Sequence, residues 1–158
     1  MANTQSMCTS FMSELMTATH NFGTAPVRAA STADTFKAAL YLASATVNAS
    51  TTAYSSTGEV TGTGYSAGGV TVTNATPPAS TNTSSTAGTA YWTPSASITY
   101  TSVTLTTAFD CVLIYNSTQS NKAVSVHTFG SQTVTAGTFT LTMPSNTTST
   151  ALLRLATT

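Results

Sequence analysis

From Ala90 onward, short stretches in which apolar residues alternate with hydroxyl residues recur at roughly 8 to 14 residue intervals. They are Ile98–Leu105, Cys111–Tyr115, Ala123–His127, Thr138–Met143 and Ala151–Leu155. A period of two puts the apolar side chains of each stretch on one face, which is the pattern of a strand with one buried side. Many short strands at even spacing point to a sandwich or barrel. CVLIY (111–115) is instead continuously apolar, as expected of a central strand covered on both faces. Ala136-Gly137, between QTVT and TFTLTM, reads as a tight hairpin turn, after which Phe139, Leu141 and Met143 share one face.

Composition supports strands. Ser and Thr make up roughly a third of the chain, and β-branched Thr suits a pleated, half-exposed surface better than a helix. Charged residues are only 5% and the formal net charge is zero, against about a quarter charged in ordinary domains. Six Phe, six Tyr and several Val/Ile/Leu clusters separate the chain from charged, core-less disordered sequences. Without a basic excess it cannot neutralise many phosphates, so no nucleic-acid partner is expected, and steering to an anionic membrane surface fails on the same ground. A surface so poor in charge tolerates close packing against copies of itself, which predicts a homo-oligomer or another assembly. At 158 residues the chain fits one domain.

At the N-terminus, Ser6 to Asn21 places Met7, Phe11, Leu15 and the neighbouring Met12 and Met16 at helical spacing, with Gly23 as a stop. This predicts a short amphipathic helix in an N-terminal segment, 1–23, ahead of a β domain over 24–158. Its Met-rich face suits core packing or an adaptable contact with a neighbouring subunit. DTFKAALYLAS (34–44) is ambiguous: Ala, Leu and Lys favour helix, while Phe36, Ala38, Leu40 and Leu42 alternate as on a strand. TGEVTGTGYSAGG reads as an ordered, glycine-rich loop entering a short strand at Val70 and Val72. Residues 75–89, with Pro77 and Pro78, hold almost nothing that can be buried and predict an exposed Ser/Thr/Pro-rich loop. The first residues lack a positive n-region and an apolar run, so no secretory signal is expected, and no stretch approaches transmembrane length.

Candidate chemistry is sparse. The carboxylates Glu14, Asp34, Glu59 and Asp110 are scattered, and nothing local brings two together as an acid/base pair needs. They read as a helix-face charge (Glu14), cap or turn groups (Asp34, Asp110) and a loop hydrogen-bond acceptor (Glu59). His20 is expected to bond free carbonyls at the helix end, and His127 to close a strand. No catalytic, cofactor or metal residues are assigned, because the serines lack a GxSxG frame and the histidines and cysteines lack metal-site spacing. Cys8 and Cys111 read as unpaired small hydrophobes, with a disulfide as the alternative. Tyr91 and Trp92 pack in the core or, on a second reading, form an exposed sugar-stacking platform.

The order of these pieces resembles a family of small structural proteins of tailed double-stranded DNA phages. The matching pieces are a short helix ending HNFG, then DTFKAALYLASA, TTAYSSTGEVTGTGYSAGG, SASITYTSVTLTTAFDCVLIYN and AVSVHTFGSQTVTAGTFTLTMP. They cover nearly the whole chain. Most distinctive is the Ala-Tyr, Gly-Glu-Val, Gly-Tyr, Ala-Gly-Gly order over 53–69. The resemblance implies a virion component made in the bacterial host cytoplasm, with a β-sandwich or jelly-roll-like core and DTFKAALYL as a strand. It implies no catalytic residues and no cofactor. The role expected is capsid decoration or cement on the capsid exterior, binding the major capsid protein and copies of itself. A tail, connector or fibre component is the alternative, and a carbohydrate-binding attachment module displaying Tyr91 and Trp92 a further one. The contact candidates are Met7, Phe11, Met12, Leu15 and Met16 in the N-terminal segment, and Pro77 and Pro78 in the loop.

Overall fold

The computed structural model describes residues 2–16, 18–22, 33–81 and 88–156. Along them run strand β1 (Ser6–Met7), helix α1 (Thr9–Met16), and strands β2 (Phe36–Leu42), β3 (Val70–Thr71), β4 (Ala79–Ser80), β5 (Thr89–Trp92), β6 (Ile98–Asn116), β7 (Lys122–Leu141) and β8 (Leu153–Ala156). They form two antiparallel sheets, in the orders β1-β7-β6-β2-β3 and β4-β5-β8. The fold is all-β and sandwich-like, with one short helix.

CVLIY lies in β6, the middle strand of the larger sheet, and each of its residues is at most 2% exposed. DTFKAALYL resolves as strand. Phe36 pairs with Asn116 and the register runs unbroken to Tyr41 opposite Cys111. With β6 on one side and β3 on the other, both edges of β2 are paired, so tertiary pairing overrides the helical leaning of Ala and Leu.

The five predicted C-terminal stretches are not five separate strands. Ile98–Leu105 and Cys111–Tyr115 fuse into β6, and the stretches at 123–127 and 138–143 fuse, to Leu141, into β7. The hairpin expected at Ala136-Gly137 is therefore absent, since the residues on both sides of it pair with β6: Gly137 with Val103, Phe139 with Tyr100, Val134 with Leu105. The turn chemistry has a different use. Ala136 and Ser102 take φ of 47° and 54°, and the register shifts four times between Tyr100 and Cys111. Bulges of this kind bend and over-twist a ribbon. The rings of Phe129 and Phe139, ten residues apart on β7, lie 5.3 Å apart, whereas an extended strand would separate them by about 33 Å. The β6–β7 ribbon thus folds over itself, and Tyr100 on the folded-over half donates its hydroxyl to Ala38 O of β2 at 2.9 Å.

The glycine-rich loop closes against this ribbon. Thr63 bridges Thr104 and Glu59 bridges Tyr41. A Cβ at Gly69, whose φ is 71°, would stand 1.7 Å from Ala38 O, so only glycine allows the backbone this close. Glu59, 6% exposed, accepts hydrogen bonds from the Tyr54 hydroxyl (2.6 Å), the Tyr65 hydroxyl (2.7 Å) and the Gly68 amide (2.7 Å). The acceptor role read from sequence is the one it plays.

The N-terminal helix is shorter than predicted. Ser6–Met7 pairs with β7, and α1 ends before Ala18, which takes a left-handed φ of 52°. Ala18 thus does the stopping expected of Gly23, which lies outside the described residues, as does the side chain of Met16. Phe11 (2% exposed) and Cys8 (0%) join the same apolar core as the strands. The loop over 75–89 is in part structured: Ala79–Ser80 pairs with Tyr91 and Ala90, while 82–87 lie outside the described residues.

Candidate functional site

Between α1 and the smaller sheet lies an apolar surface cavity of about 90 Å³. One wall is Met7, Phe11 and Leu15; facing them are Pro78, Tyr91 and Trp92. Residues picked out separately in the sequence thus meet at one place. Leu155 of β8, which also lines it, is 43% exposed, and Met12 of α1 is 47% exposed; these are the exposed large hydrophobics of the described residues. Pro77 is exposed next to Pro78.

The sugar-platform reading does not survive this geometry. It needs Tyr91 and Trp92 exposed together, but Trp92 is 2% exposed and Tyr91 is half-buried. The indole Nε1–H of Trp92 donates to Asn74 Oδ1 (2.9 Å), Asn74 Nδ2 donates to Phe22 O (2.8 Å), and the Phe22 ring meets the indole edge-on at 4.7 Å. Trp92 is a core residue whose polar atom is satisfied internally.

A polar cluster beneath the cavity escaped the sequence reading. His20, its side chain fully buried, approaches Glu14 through Nε2 at 2.7 Å and Asn116 Nδ2 through Nδ1 at 3.1 Å. Asn116 Nδ2 also donates to Asp34 Oδ2 (2.8 Å), which accepts the Asn21 amide (2.9 Å), while Gln119 Nε2 donates to Asp34 Oδ1 (3.1 Å). Lys122 Nζ reaches Glu14 Oε1 at 2.6 Å. One tautomer satisfies the set: Nε2 carries the proton and donates to Glu14, and the Nδ1 lone pair accepts from Asn116. The helix-end role expected of His20 is thus corrected, since it bonds side chains rather than free carbonyls. Two of the scattered carboxylates, Glu14 and Asp34, are joined through His20 and Asn116. No local signal could have found this, because His20 and Asn116 are 96 residues apart.

Burial lowers the pKa of His20 despite the opposing pull of Glu14 and Asp34, so the imidazole is neutral near pH 7. Burial alone would raise the Glu14 carboxyl, but bonds to Lys122 and His20 bring it net below its ordinary value. The rings of Phe11 (4.9 Å), Phe22 (6.3 Å) and Phe36 (6.4 Å) surround the imidazole. The cluster joins α1, the approach to β2 and the β6–β7 turn.

On β7 the Ser125 hydroxyl lies 2.9 Å from His127 Nε2, and burial pushes His127 down to about 4. Cys8 and Cys111 are free and buried, and burial raises their thiols to about 11 and about 12, so both are protonated and unreactive near neutrality. Among the described residues no three His, Cys, Asp or Glu side chains are grouped to hold a metal ion, and no helix is long and apolar enough to cross a membrane. What the surface offers is an apolar recess beside exposed apolar side chains and short strand edges. No protein-family model, curated protein or solved structure matches the chain.

Proposed function

We propose that this chain is a structural virion protein of a tailed double-stranded DNA phage, a decoration protein that stabilises the head by binding across capsomers. The supporting observation is the convergence of Met7, Phe11, Leu15 and Pro78 on one apolar recess at the surface. Apolar anchors in a recess, surrounded by a surface almost without charge, suit a contact made of shape, backbone edges and hydroxyls. The phage-like order over 53–69 adds support: its Tyr54, Glu59, Tyr65 and Gly68 form one hydrogen-bonded unit, a physical reason for those residues to occur together.

A protein that binds only the assembled shell stabilises it by mass action, and many equivalent sites multiply a modest energy. With few charges to screen, binding should depend weakly on salt. The test is electron imaging of native particles with mass-spectrometric copy counting. Copy numbers comparable to the major capsid protein, spread over the head, support decoration. A small number confined to the tail or neck replaces it with a connector or fibre role, and absence from particles removes the virion reading.

A further inference from the structure

Strand β8 is bonded on one side only. Leu153 to Ala156 pair with Trp92 to Thr89 of β5, and among the described residues no strand covers the other edge. Exposed edges are usually blunted by Pro, Lys, a bulge or extreme shortness. Over its four residues β8 has no Pro, no Lys and no register shift. Its one charge, Arg154, is drawn back along its own chain, with Nη1 2.7 Å from Ser149 O.

Leu155 is exposed at this edge. It lies opposite Ala90 and on the same face as Leu153 and Trp92, so it points to the inner side of the small sheet, where the packing runs out. The recess beside it holds about 90 Å³, less than the roughly 150 Å³ of a benzene-sized cavity and suited to an aliphatic side chain. Leu155 and Met12 are the exposed large hydrophobics of the described residues, and Leu155 lines this recess. Knob and hole on the same patch are self-complementary under a two-fold rotation.

We propose that a second copy of this chain occupies this edge: two β8 strands pair antiparallel about a two-fold axis at Leu155, merging two three-stranded sheets into one of six. The register follows from two constraints. Directly opposed residues share a face, so keeping the inner faces together sets odd-numbered residues against odd-numbered ones. Centring on Arg154 would place like charges opposite each other, which is unfavourable. Centring on Leu155 pairs the two leucines and sets Arg154 against Ala156. No other charge has to be desolvated. This pairing is independent of the virion reading, because the isolated chain in solution forms it too.

Light scattering after size exclusion, over a wide concentration series of the purified full chain, should show a monomer–dimer equilibrium. Leu155→Lys should move its midpoint to about tenfold higher concentration or more, with the far-UV spectrum unchanged because the side chain is already 43% exposed. Leu155→Cys should cross-link to itself on oxidation while Arg154→Cys does not; Cys8 and Cys111, at 0% exposure, do not compete. A monomer at every concentration, a trimer or ring, a dimer indifferent to Leu155→Lys, or faster cross-linking at position 154 would each overturn the pairing.

Discussion

Glu59 and Asp34 are carboxylates carried into the interior to nearly the same depth, 6% and 7% exposed, and they are held there differently. Glu59 accepts hydrogen bonds from donors within nine residues: two phenols and one amide. Asp34 draws on the Asn21 amide 13 residues back and on Asn116 and Gln119 more than 80 residues ahead. One network folds a loop onto itself and the sheet; the other ties the N-terminal segment to the end of the central hairpin. They also differ in what titrates. Burial and then Glu59 itself push Tyr54 and Tyr65 far above the ordinary phenol range, so those donors keep their protons throughout the accessible range. The second network depends on an imidazole that must stay neutral.

Removing the acid from the phenol network should have the largest effect. Glu59→Ala strands two hydroxyls and a buried amide, which predicts a loss of about 4 kcal/mol in urea unfolding. Tyr54→Phe, which removes one charge-assisted bond, should cost about 1.5 to 2 kcal/mol. If the network acts locally, amide exchange at Gly68 should accelerate in both variants while exchange in α1 stays unchanged. Equal acceleration in α1 would mean that the two networks are coupled.

Acid separates them next. His20 and His127 both have folded pKa values below the ordinary histidine value, so the unfolded chain binds more protons. Stability is therefore fully present above about pH 6.5 and falls as pH drops below it. For His127, a folded value near 4 corresponds to a loss on the order of 3 kcal/mol by pH 4. For His20 the fall has a structural signature: a proton on Nδ1 faces the Asn116 amide, which can no longer donate there. Exchange in α1 and at Asn21 should accelerate before exchange at Gly68. A profile flat from pH 7 to 5 would contradict the neutral assignment of both rings.

This contrast also explains what was legible in the sequence. CVLIY shows its central position because unbroken apolarity is a property of adjacent residues, and the acceptor role of Glu59 is legible because its donors lie within nine residues of it. The alternation in DTFKAALYL was visible, but only the strands on either side of it decide against helix. Ala136-Gly137 reads locally as a hairpin turn, and only pairing with β6, about 30 residues away, makes it a bend within one strand. His20, Asp34 and Asn116 carry no shared local signature. Trp92 was ambiguous because an indole serves a core and an exposed platform equally well; the partner that settles it, Asn74, is 18 residues away.

The smallest effect should come from removing the charge of Lys122. Lys122 reaches Glu14 at 2.6 Å, but its side chain is 38% exposed, so water and salt screen most of the attraction. Lys122→Met keeps the aliphatic stem against the surface and removes only the charge, which predicts a loss below about 1 kcal/mol. The sign is fixed by Glu14, whose carboxyl sits below its ordinary value partly through this bond. The contribution is present above about pH 4.5 and disappears as the acid protonates. Raising the salt concentration should therefore shrink the difference between wild type and Lys122→Met, while the Glu59→Ala deficit stays constant because its donors are neutral. If salt reduced both deficits equally, the phenol network would be governed by long-range charge rather than by its three short hydrogen bonds.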